Sequence, residues 1–153
     1  MDLRRFMDMD VTIRNMTMKD KNSVIEMMRV FYASPAVFSN GSDEIFLNDI
    51  ENCINNSNYL EGYVIENPDE ILGYAMIAKS FSTEFGKPCI WIEDLYIKDE
   101  YRGLGIGKIF MEFITKKHTD CIFRLEVEEE NERAITLYHK CGFSFLPYIE
   151  MKK

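Results

Sequence analysis

The chain has 153 residues, of which 46% are hydrophobic and 29% are charged, and its formal net charge at pH 7 is −8. This length fits one domain with a real core, and the composition excludes an intrinsically disordered protein. The acidic balance argues against a nucleic-acid partner but is compatible with a cationic one, and no apolar stretch approaches the roughly 20 residues of a membrane span.

Residues 1–10 are expected to form a short arm before a folded domain over residues 11–153. The arm has no apolar region of a signal peptide, so a cytoplasmic location is expected. The four cysteines are far apart and form no CxxC pair, and the two histidines complete no ligand cluster. This pattern indicates free thiols in a reducing compartment, with no metal site.

A strand and two helices are predicted at the N-terminus. Apolar and polar residues alternate over residues 11–14, which is typical of a strand. Thr17 and Asp20 form an imperfect capping box that opens a helix, and Pro35 should end it. Ser42 is expected to cap a second helix.

A hairpin and a third strand are predicted in the middle of the chain. Residues 59–66 and 71–80 read as strands, and the Asn-Pro-Asp-Glu turn at 67–70 makes them an antiparallel pair. A strongly apolar strand follows at 89–97, and a polar break at 98–101 separates it from a glycine-rich turn.

The last third is predicted to contain two helices and two strands. One helix begins near Ile106, a strand covers residues 122–127, and a second helix covers 131–141 and ends at Gly142. Residues 143–151 read as a final strand. The order β-α-α-β-β-β-α-β-α-β predicts an α/β (α+β) fold, with a mixed, mostly antiparallel sheet of six or seven strands and about four helices.

The most informative segment is Trp91–Lys108, where a buried strand runs into the turn Arg102-Gly103-Leu104-Gly105-Ile106-Gly107 and then into a helix. Glycines let successive backbone N–H groups converge on an anion, and a helix N-terminus adds donors and partial positive charge. Arg102 adds a charge suited to phosphate oxygens. The spacing fits neither a Walker A loop nor a GxGxxG dinucleotide turn. The hexapeptide alone is therefore either another kind of pyrophosphate cradle or a plain glycine-rich turn.

Three segments together resemble the GCN5-related N-acetyltransferase (GNAT) superfamily. The turn at Arg102 matches the signature R/Q-x-x-G-x-G/A, and the strand at 92–97 looks like the fourth strand of that family. Residues 131–143 match the N-x-x-A-x-x-L-Y-x-K-x-G-F helix and following strand. The resemblance covers about residues 11–151 and is strongest over 90–145.

The resemblance implies a direct transfer of acetyl from acetyl-CoA to an amine, without a metal. It also implies a splayed, V-shaped split between the fourth and fifth strands, in which the pantetheine arm of CoA lies. The cofactor-binding residues that it implies are Leu95, Tyr96, Ile97, Arg102, Gly103, Leu104, Gly105, Ile106, Gly107, Lys108, Asn131 and Tyr138.

Acetyl transfer to an amine requires a base and a proton donor. An amine with a lysine-like pKa of about 10.4 is almost fully protonated at pH 7 and must lose a proton before it attacks, while the leaving thiolate must gain one. By the resemblance, Glu93 is expected to act as the base through water, and Tyr138 as the general acid. The backbone N–H of Ile97 or its neighbour is a candidate donor to the thioester oxygen.

Other carboxylates remain open for the role of base. Strand alternation predicts that Glu93 and Asp94 face opposite sides of the sheet, so at most one of them faces the substrate. Glu126 and Glu128 on the adjacent strand are further alternatives.

The segment between the first two helices is where this family builds its acceptor pocket. Tyr32 and Phe38 are expected to line that pocket together with Glu93.

The acceptor is expected to be a small primary amine or a polyamine. The strand IEDLYI followed by DEYRGLGIG especially resembles the diamine (spermidine/spermine) acetyltransferases. A protein or peptide amine and an aminoglycoside are alternatives. A non-catalytic acyl-CoA-binding sensor or interaction module is an alternative of another class, and the resemblance also allows a homodimer.

Overall fold

The computed structural model describes residues 10–56 and 58–153, so the predicted N-terminal arm lies almost wholly outside the described residues. No helix in these ranges is long and apolar enough to cross a membrane. The strands are β1 (Thr12–Asn15), β2 (Leu60–Glu66), β3 (Ile71–Ser82), β4 (Lys87–Ile97) and β5 (Ile122–Leu125). The α-helices are α1 (Lys21–Tyr32), α2 (Asp43–Asn55), α3 (Ile106–Lys117) and α4 (Glu132–Lys140).

The helix starts follow the local signals in the sequence. The Ser42 hydroxyl accepts a hydrogen bond from the Ile45 N–H at 3.2 Å, which caps α2 as predicted. The Asp20 carboxylate accepts from the Thr17 N–H at 2.8 Å, and a short 3₁₀ turn precedes α1. These side chains satisfy N–H groups that have no partner within the first turn of a helix.

The sheet has five strands in the order β1-β2-β3-β4-β5, with antiparallel neighbours except for the parallel pair β4–β5. The predicted mixed, mostly antiparallel sheet with four α-helices is therefore confirmed. Helices α1 and α2 cover one face, where Met28, Phe46 and Tyr74 are among the core residues. Helix α3 covers the other face, where Phe110 and Ile114 pack against the sheet.

A β-bulge interrupts β4 next to the predicted base. Ile92 lies opposite Ile77 and Asp94 lies opposite Met76, which leaves Glu93 as the extra residue. A bulge of this kind breaks the alternation of side chains along a strand. Simple alternation therefore does not hold across this pair, so it no longer supports the prediction that Glu93 and Asp94 face opposite sides.

The bulge changes the side of the sheet on which each later side chain of β4 packs. Before it, Ile90 and Ile92 pack in the core on the α3 side. After it, Tyr96 packs in the core on the α1–α2 side, while Leu95 and Ile97 contact the α3 side. The C-terminal half of β4 therefore presents Leu95 and Ile97 to the side where the glycine turn begins α3.

The predicted final strand over residues 143–151 is wrong, and the sheet has five strands where six or seven were expected. The segment has no regular secondary structure and pairs with no strand among the described residues. Pro147 lacks an N–H for a ladder, and Ile149 is 94% exposed. The hydroxyl of Tyr148 donates to Oε2 of Glu84 at 2.6 Å, which ties the segment to the β3–β4 hairpin through a side chain.

Candidate active site

A cavity of about 1050 Å³ lies beside the C-terminal half of β4. The parallel ladder joins Cys89–Ile92 to Ile122–Leu125 and stops there, whereas β4 continues to Ile97. The glycine turn and α4 provide the other walls. The residues of the predicted cofactor set that line the cavity are Leu95, Tyr96, Ile97, Arg102, Gly103, Gly105, Ile106, Gly107, Lys108, Asn131 and Tyr138.

The glycine turn has the backbone conformation that its sequence suggested. Gly103 has φ 77° and Gly105 has φ 81°, which lies in the left-handed region that side chains with a Cβ rarely adopt. Gly105 stands directly before the first turn of α3. The free N–H groups at this helix start border the cavity, which is the arrangement that binds phosphate groups in proteins.

Arg102 is engaged by the turn itself. Its Nε donates to the carbonyl oxygen of Ile97 at 2.9 Å, and its Nη1 lies 2.7 Å from Oδ1 of Asp99. The guanidinium also lies 5.5 Å from the ring centroid of Tyr96. These contacts hold the turn against the end of β4.

Helix α4 carries Asn131 and Tyr138 to the cavity. Asn131 caps the helix, because its Oδ1 accepts from the Ala134 N–H at 3.3 Å. Tyr138 packs on Phe143 with ring centroids 5.8 Å apart, and its hydroxyl has no hydrogen-bond partner among residues 10–56 and 58–153. Burial raises the pKa of Tyr138 to about 12, so the phenol keeps its proton at neutral pH.

Glu93 lies on β4, two residues before Leu95, and does not itself line the cavity. The residue as a whole is exposed, but the surrounding protein withdraws water from its carboxyl group. This desolvation raises the pKa of Glu93, and the carboxylates of Asp94, Glu150 and Asp49 raise it further. A carboxyl group with a raised pKa accepts a proton more readily near neutral pH.

Asp94 is buried and held by two tyrosines. Tyr32 donates to its Oδ1 at 3.0 Å and Tyr74 donates to its Oδ2 at 2.7 Å. Burial raises the pKa of Asp94, and the two hydrogen bonds oppose that increase. Asp94 therefore joins α1, β3 and β4, and its oxygens are occupied by hydroxyl donors.

Besides Glu93, three predicted residues lie outside the cavity. Tyr32 is turned toward Asp94, and its ring packs 5.0 Å from that of Phe46. Phe38 is 92% exposed. Leu104 packs against the core on the α3 side. The segment after α1 does reach the cavity, through Ser34 and its two successors in the chain.

The neighbourhood of Glu93 holds further carboxylates, of which the sequence analysis named Glu126 but not Asp49 or Glu150. Burial and the charge of Asp94 raise the pKa of Asp49 on α2 to about 6. Burial and a hydrogen bond with Glu150 raise the pKa of Glu126 to about 7. Of the alternative bases, Glu128 lines the cavity. For Asp49 and Glu150 only the overall negative charge of the chain gave a hint, because they reach this region from α2 and from the C-terminal tail.

Sequence comparison finds relatives among amine acetyltransferases. The chain is 39% identical over 75 residues to the thialysine N-epsilon-acetyltransferase of Bos taurus. The match covers 47% of this chain and 44% of that protein, so it spans less than half the length of either.

Solved structures share the fold over almost the whole chain. A possible acetyltransferase from Clostridium difficile 630 superposes with a TM-score of 0.79 at 18% identity, covering 94% of this chain and 96% of that one. Glucosamine-6-phosphate N-acetyltransferase from Arabidopsis thaliana superposes with a TM-score of 0.70 at 24% identity, covering 94% and 97%. At these identities the likeness shows the fold.

The Acetyltransferase (GNAT) family is matched over residues 24–143, which include most of α1, the other three α-helices, the glycine turn and Tyr138. The chain therefore belongs to the GNAT acetyltransferase family.

Proposed function

We propose that the protein is an N-acetyltransferase that moves the acetyl group of acetyl-CoA directly to a primary amine of a small cationic molecule. The observation that carries this proposal is the cavity at the end of β4, which has a glycine turn on one side and a protonated Tyr138 on the other. The similarity to thialysine acetyltransferases supports a small amine as acceptor.

The residues around the cavity fit CoA in three respects. The turn from Gly103 to Gly107 offers backbone N–H groups at a helix start, which suit a pyrophosphate. Leu95 and Ile97 border the cavity beyond the point where β4 and β5 stop pairing, so the backbone groups of Leu95 are available to an extended pantetheine arm, while the carbonyl oxygen of Ile97 is held by Arg102. Asn131 and Tyr138 face the same space from α4.

The proposed roles of the side chains follow from their protonation. Acetyl-CoA supplies an activated acetyl group as a thioester. The carboxylate of Glu93 takes a proton from the acceptor ammonium through water, so that the neutral nitrogen bonds to the acetyl carbon as the carbon–sulfur bond breaks. The Tyr138 phenol gives its proton to the departing sulfur, and the second proton that the nitrogen loses as the amide forms restores the phenol. A backbone N–H at Ile97 stabilises the charge on the acetyl oxygen.

The carboxylates around Glu93 support a cationic acceptor. Asp94, Asp49 and Glu150 all act on Glu93, and Glu126 lies close enough to Glu150 to form a hydrogen bond. A concave region rich in one sign of charge attracts ligands of the opposite sign. An amine that carries a second ammonium group therefore gains more from this region than a monoamine does.

The test is thiol release from acetyl-CoA over a panel of diamines, polyamines, thialysine, lysine peptides and aminoglycosides. We expect turnover with a small di- or polyamine. Tyr138→Phe should lower kcat by roughly 10²- to 10⁴-fold and leave CoA binding nearly unchanged. Tyr59→Phe is the matched control, because Tyr59 is exposed, does not line the cavity and bonds through its hydroxyl to Asn52 of α2.

Glu93→Gln should lower kcat/KM in the same assay, with Glu26→Gln on α1 as its matched control. Turnover that is confined to peptide amines would replace the small-amine acceptor. CoA binding without turnover of any amine would favour the non-catalytic acyl-CoA-binding module.

A further inference from the structure

We propose that Arg133, in the first turn of α4, supplies the positive charge to a phosphate group of CoA, and that Arg102 instead keeps the glycine turn in shape. This inference rests on the proposed function, because it takes CoA as the ligand of the cavity. The cation that binds the phosphate group is then a residue outside the R/Q-x-x-G-x-G/A signature.

The charge of Arg102 is already compensated within the turn. Its guanidinium contacts the Asp99 carboxylate at 2.7 Å and the Ile97 carbonyl oxygen at 2.9 Å. A phosphate group would have to compete with both partners for the same N–H donors. The contacts of Arg102 are those of a side chain that fastens a loop.

Arg133 is placed differently. Its Nη2 lies 3.4 Å from the point that a Cβ on residue 103 would occupy, so the guanidinium reaches across the cavity to the glycine turn. Gly103 and Arg133 both line the cavity. Within residues 10–56 and 58–153, no ion pair involves Arg133.

The position of Arg133 is fixed by the packing of α4. Four residues after Arg133, Leu137 approaches Gly107 so closely that a Cβ there would lie 2.9 Å from Leu137 Cδ2. Residues four apart on a helix share a face. The contact between Leu137 and Gly107 therefore sets the helix against α3, and it brings Arg133 over Gly103.

The cavity lining carries charges of both signs. Lys108 and Lys140 line it together with Arg133, whereas Glu130 and Glu132, which are close to Arg133 in the chain, also line it and would repel a phosphate group. A guanidinium beside backbone N–H groups offers the forked donors that match phosphate oxygens. CoA has two phosphate sources, the pyrophosphate and the 3′-phosphate, and Arg133 can serve either by the same chemistry.

The experiment measures the dissociation constants of CoA and 3′-dephospho-CoA by calorimetry for the wild type and for Arg133→Gln. We expect the substitution to weaken CoA binding by about tenfold to a hundredfold. Arg133 is exposed, so the melting temperature should not change. Arg29→Gln removes the same charge from an exposed pair with Asp43 on the α1–α2 side of the sheet and should change CoA binding by less than about twofold.

The outcomes separate the two phosphate sources. If Arg133→Gln binds CoA and its dephospho form equally while the wild type prefers CoA, the contact is to the 3′-phosphate. If the substitution weakens both ligands by the same factor, the contact is to the pyrophosphate. Unchanged CoA affinity in Arg133→Gln overturns this inference alone, whereas a wild type that does not bind CoA overturns the proposed function.

Discussion

The hydroxyl of Tyr74 donates a hydrogen bond of 2.7 Å to Oδ2 of Asp94, and both residues are buried in the sheet. Tyr32 donates to the other carboxylate oxygen from α1. Asp94 is thus a fixed negative group at the bulge, directly after Glu93 in the chain. The same carboxylate that joins α1 to the sheet also acts on the proposed base.

Replacing Asp94 by Asn should shift the pH dependence of activity. The Asp94 carboxylate raises the pKa of Glu93, so its neutralisation lowers that pKa. Glu93 acts as a base only when deprotonated, and the acidic limb of the kcat/KM profile should therefore move to lower pH. Asp43→Asn on α2 is the control. If the acidic limb of the kcat/KM profile does not move in Asp94→Asn, the Asp94 carboxylate does not act on the pKa of the base.

Replacing Glu126 by Gln should weaken the binding of diamines more than the binding of monoamines. Because the pKa of Glu126 is about 7, the carboxylate becomes fully charged only above neutrality. The KM for a diamine should therefore fall as the pH rises through 7, and Glu126→Gln should remove that dependence. Steady-state kinetics with a matched monoamine test this, with Glu112→Gln on α3 as control. Equal losses for both amines would show that Glu126 does not act on the second ammonium.

The stability of the protein should also depend on pH, through His118 at the C-terminal end of α3. His118 Nε2 is buried without a hydrogen-bond partner and lies 3.6 Å from Glu61. Burial lowers the pKa of His118, an effect that the charge of Glu61 opposes and those of Lys117 and Lys79 reinforce. The native state therefore binds fewer protons than the unfolded chain below about pH 6.5, and stability should decrease as the pH falls through that value.

Thermal melts between pH 5 and 8 check this. His118→Gln should flatten the pH dependence of the melting temperature below pH 6.5, whereas His139→Gln, the matched exposed histidine on α4, should retain the slope of the wild type. Glu61 adds to the pH dependence of stability at still lower pH. Its partners, led by Lys79 and Tyr63, outweigh its desolvation and lower the pKa of Glu61 to about 2, so that contribution is lost as the pH falls from about 4.5 toward 2.

Gly107→Ala should make the Leu137 side chain move while changing the stability of the protein little. A methyl group at this position meets Leu137 Cδ2 at 2.9 Å, but that atom is the end of a flexible side chain, which can shift at small cost. Alanine also favours the helix by up to about 1 kcal/mol, which offsets that cost. Urea unfolding measures the change, which should stay within about 1 kcal/mol. In the double variant with Leu137→Ala the alanine at position 107 should stabilise the helix without opposition, and an equal effect of Gly107→Ala in both backgrounds would argue against the contact.

The local signals in the sequence were sufficient for much of the fold and for part of the candidate site. Ser42 caps α2 because its hydroxyl needs only the N–H three residues ahead, and the glycine turn adopts its conformation for equally local reasons. The bulge at Glu93 was not predictable in this way, since it depends on the register against Met76 and Ile77 of another strand. Tertiary approach likewise decides the place of Arg133 over Gly103.

The error over residues 143–151 has a similar cause. Phe143, Phe145 and Ile149 give the segment the apolar character of a strand, but periodicity does not reveal whether an edge is available for pairing. The adjacent strand, β5, has only four residues. A pattern of residues describes the preference of a segment, and its neighbours decide whether that preference is met.

The extra residue in β4 gives the strand a carboxyl group without disturbing its pairing on either side. Ile92 and Asp94 lie opposite the consecutive residues Ile77 and Met76, so a chain without residue 93 would form a regular ladder in which Asp94 to Ile97 keep their faces. Deletion of Glu93 would therefore leave Asp94 with its two tyrosines and Leu95 at the cavity, and would remove the proposed base alone. The bulge is thus an insertion that both hydrophobic cores tolerate, at the point of β4 where the site begins.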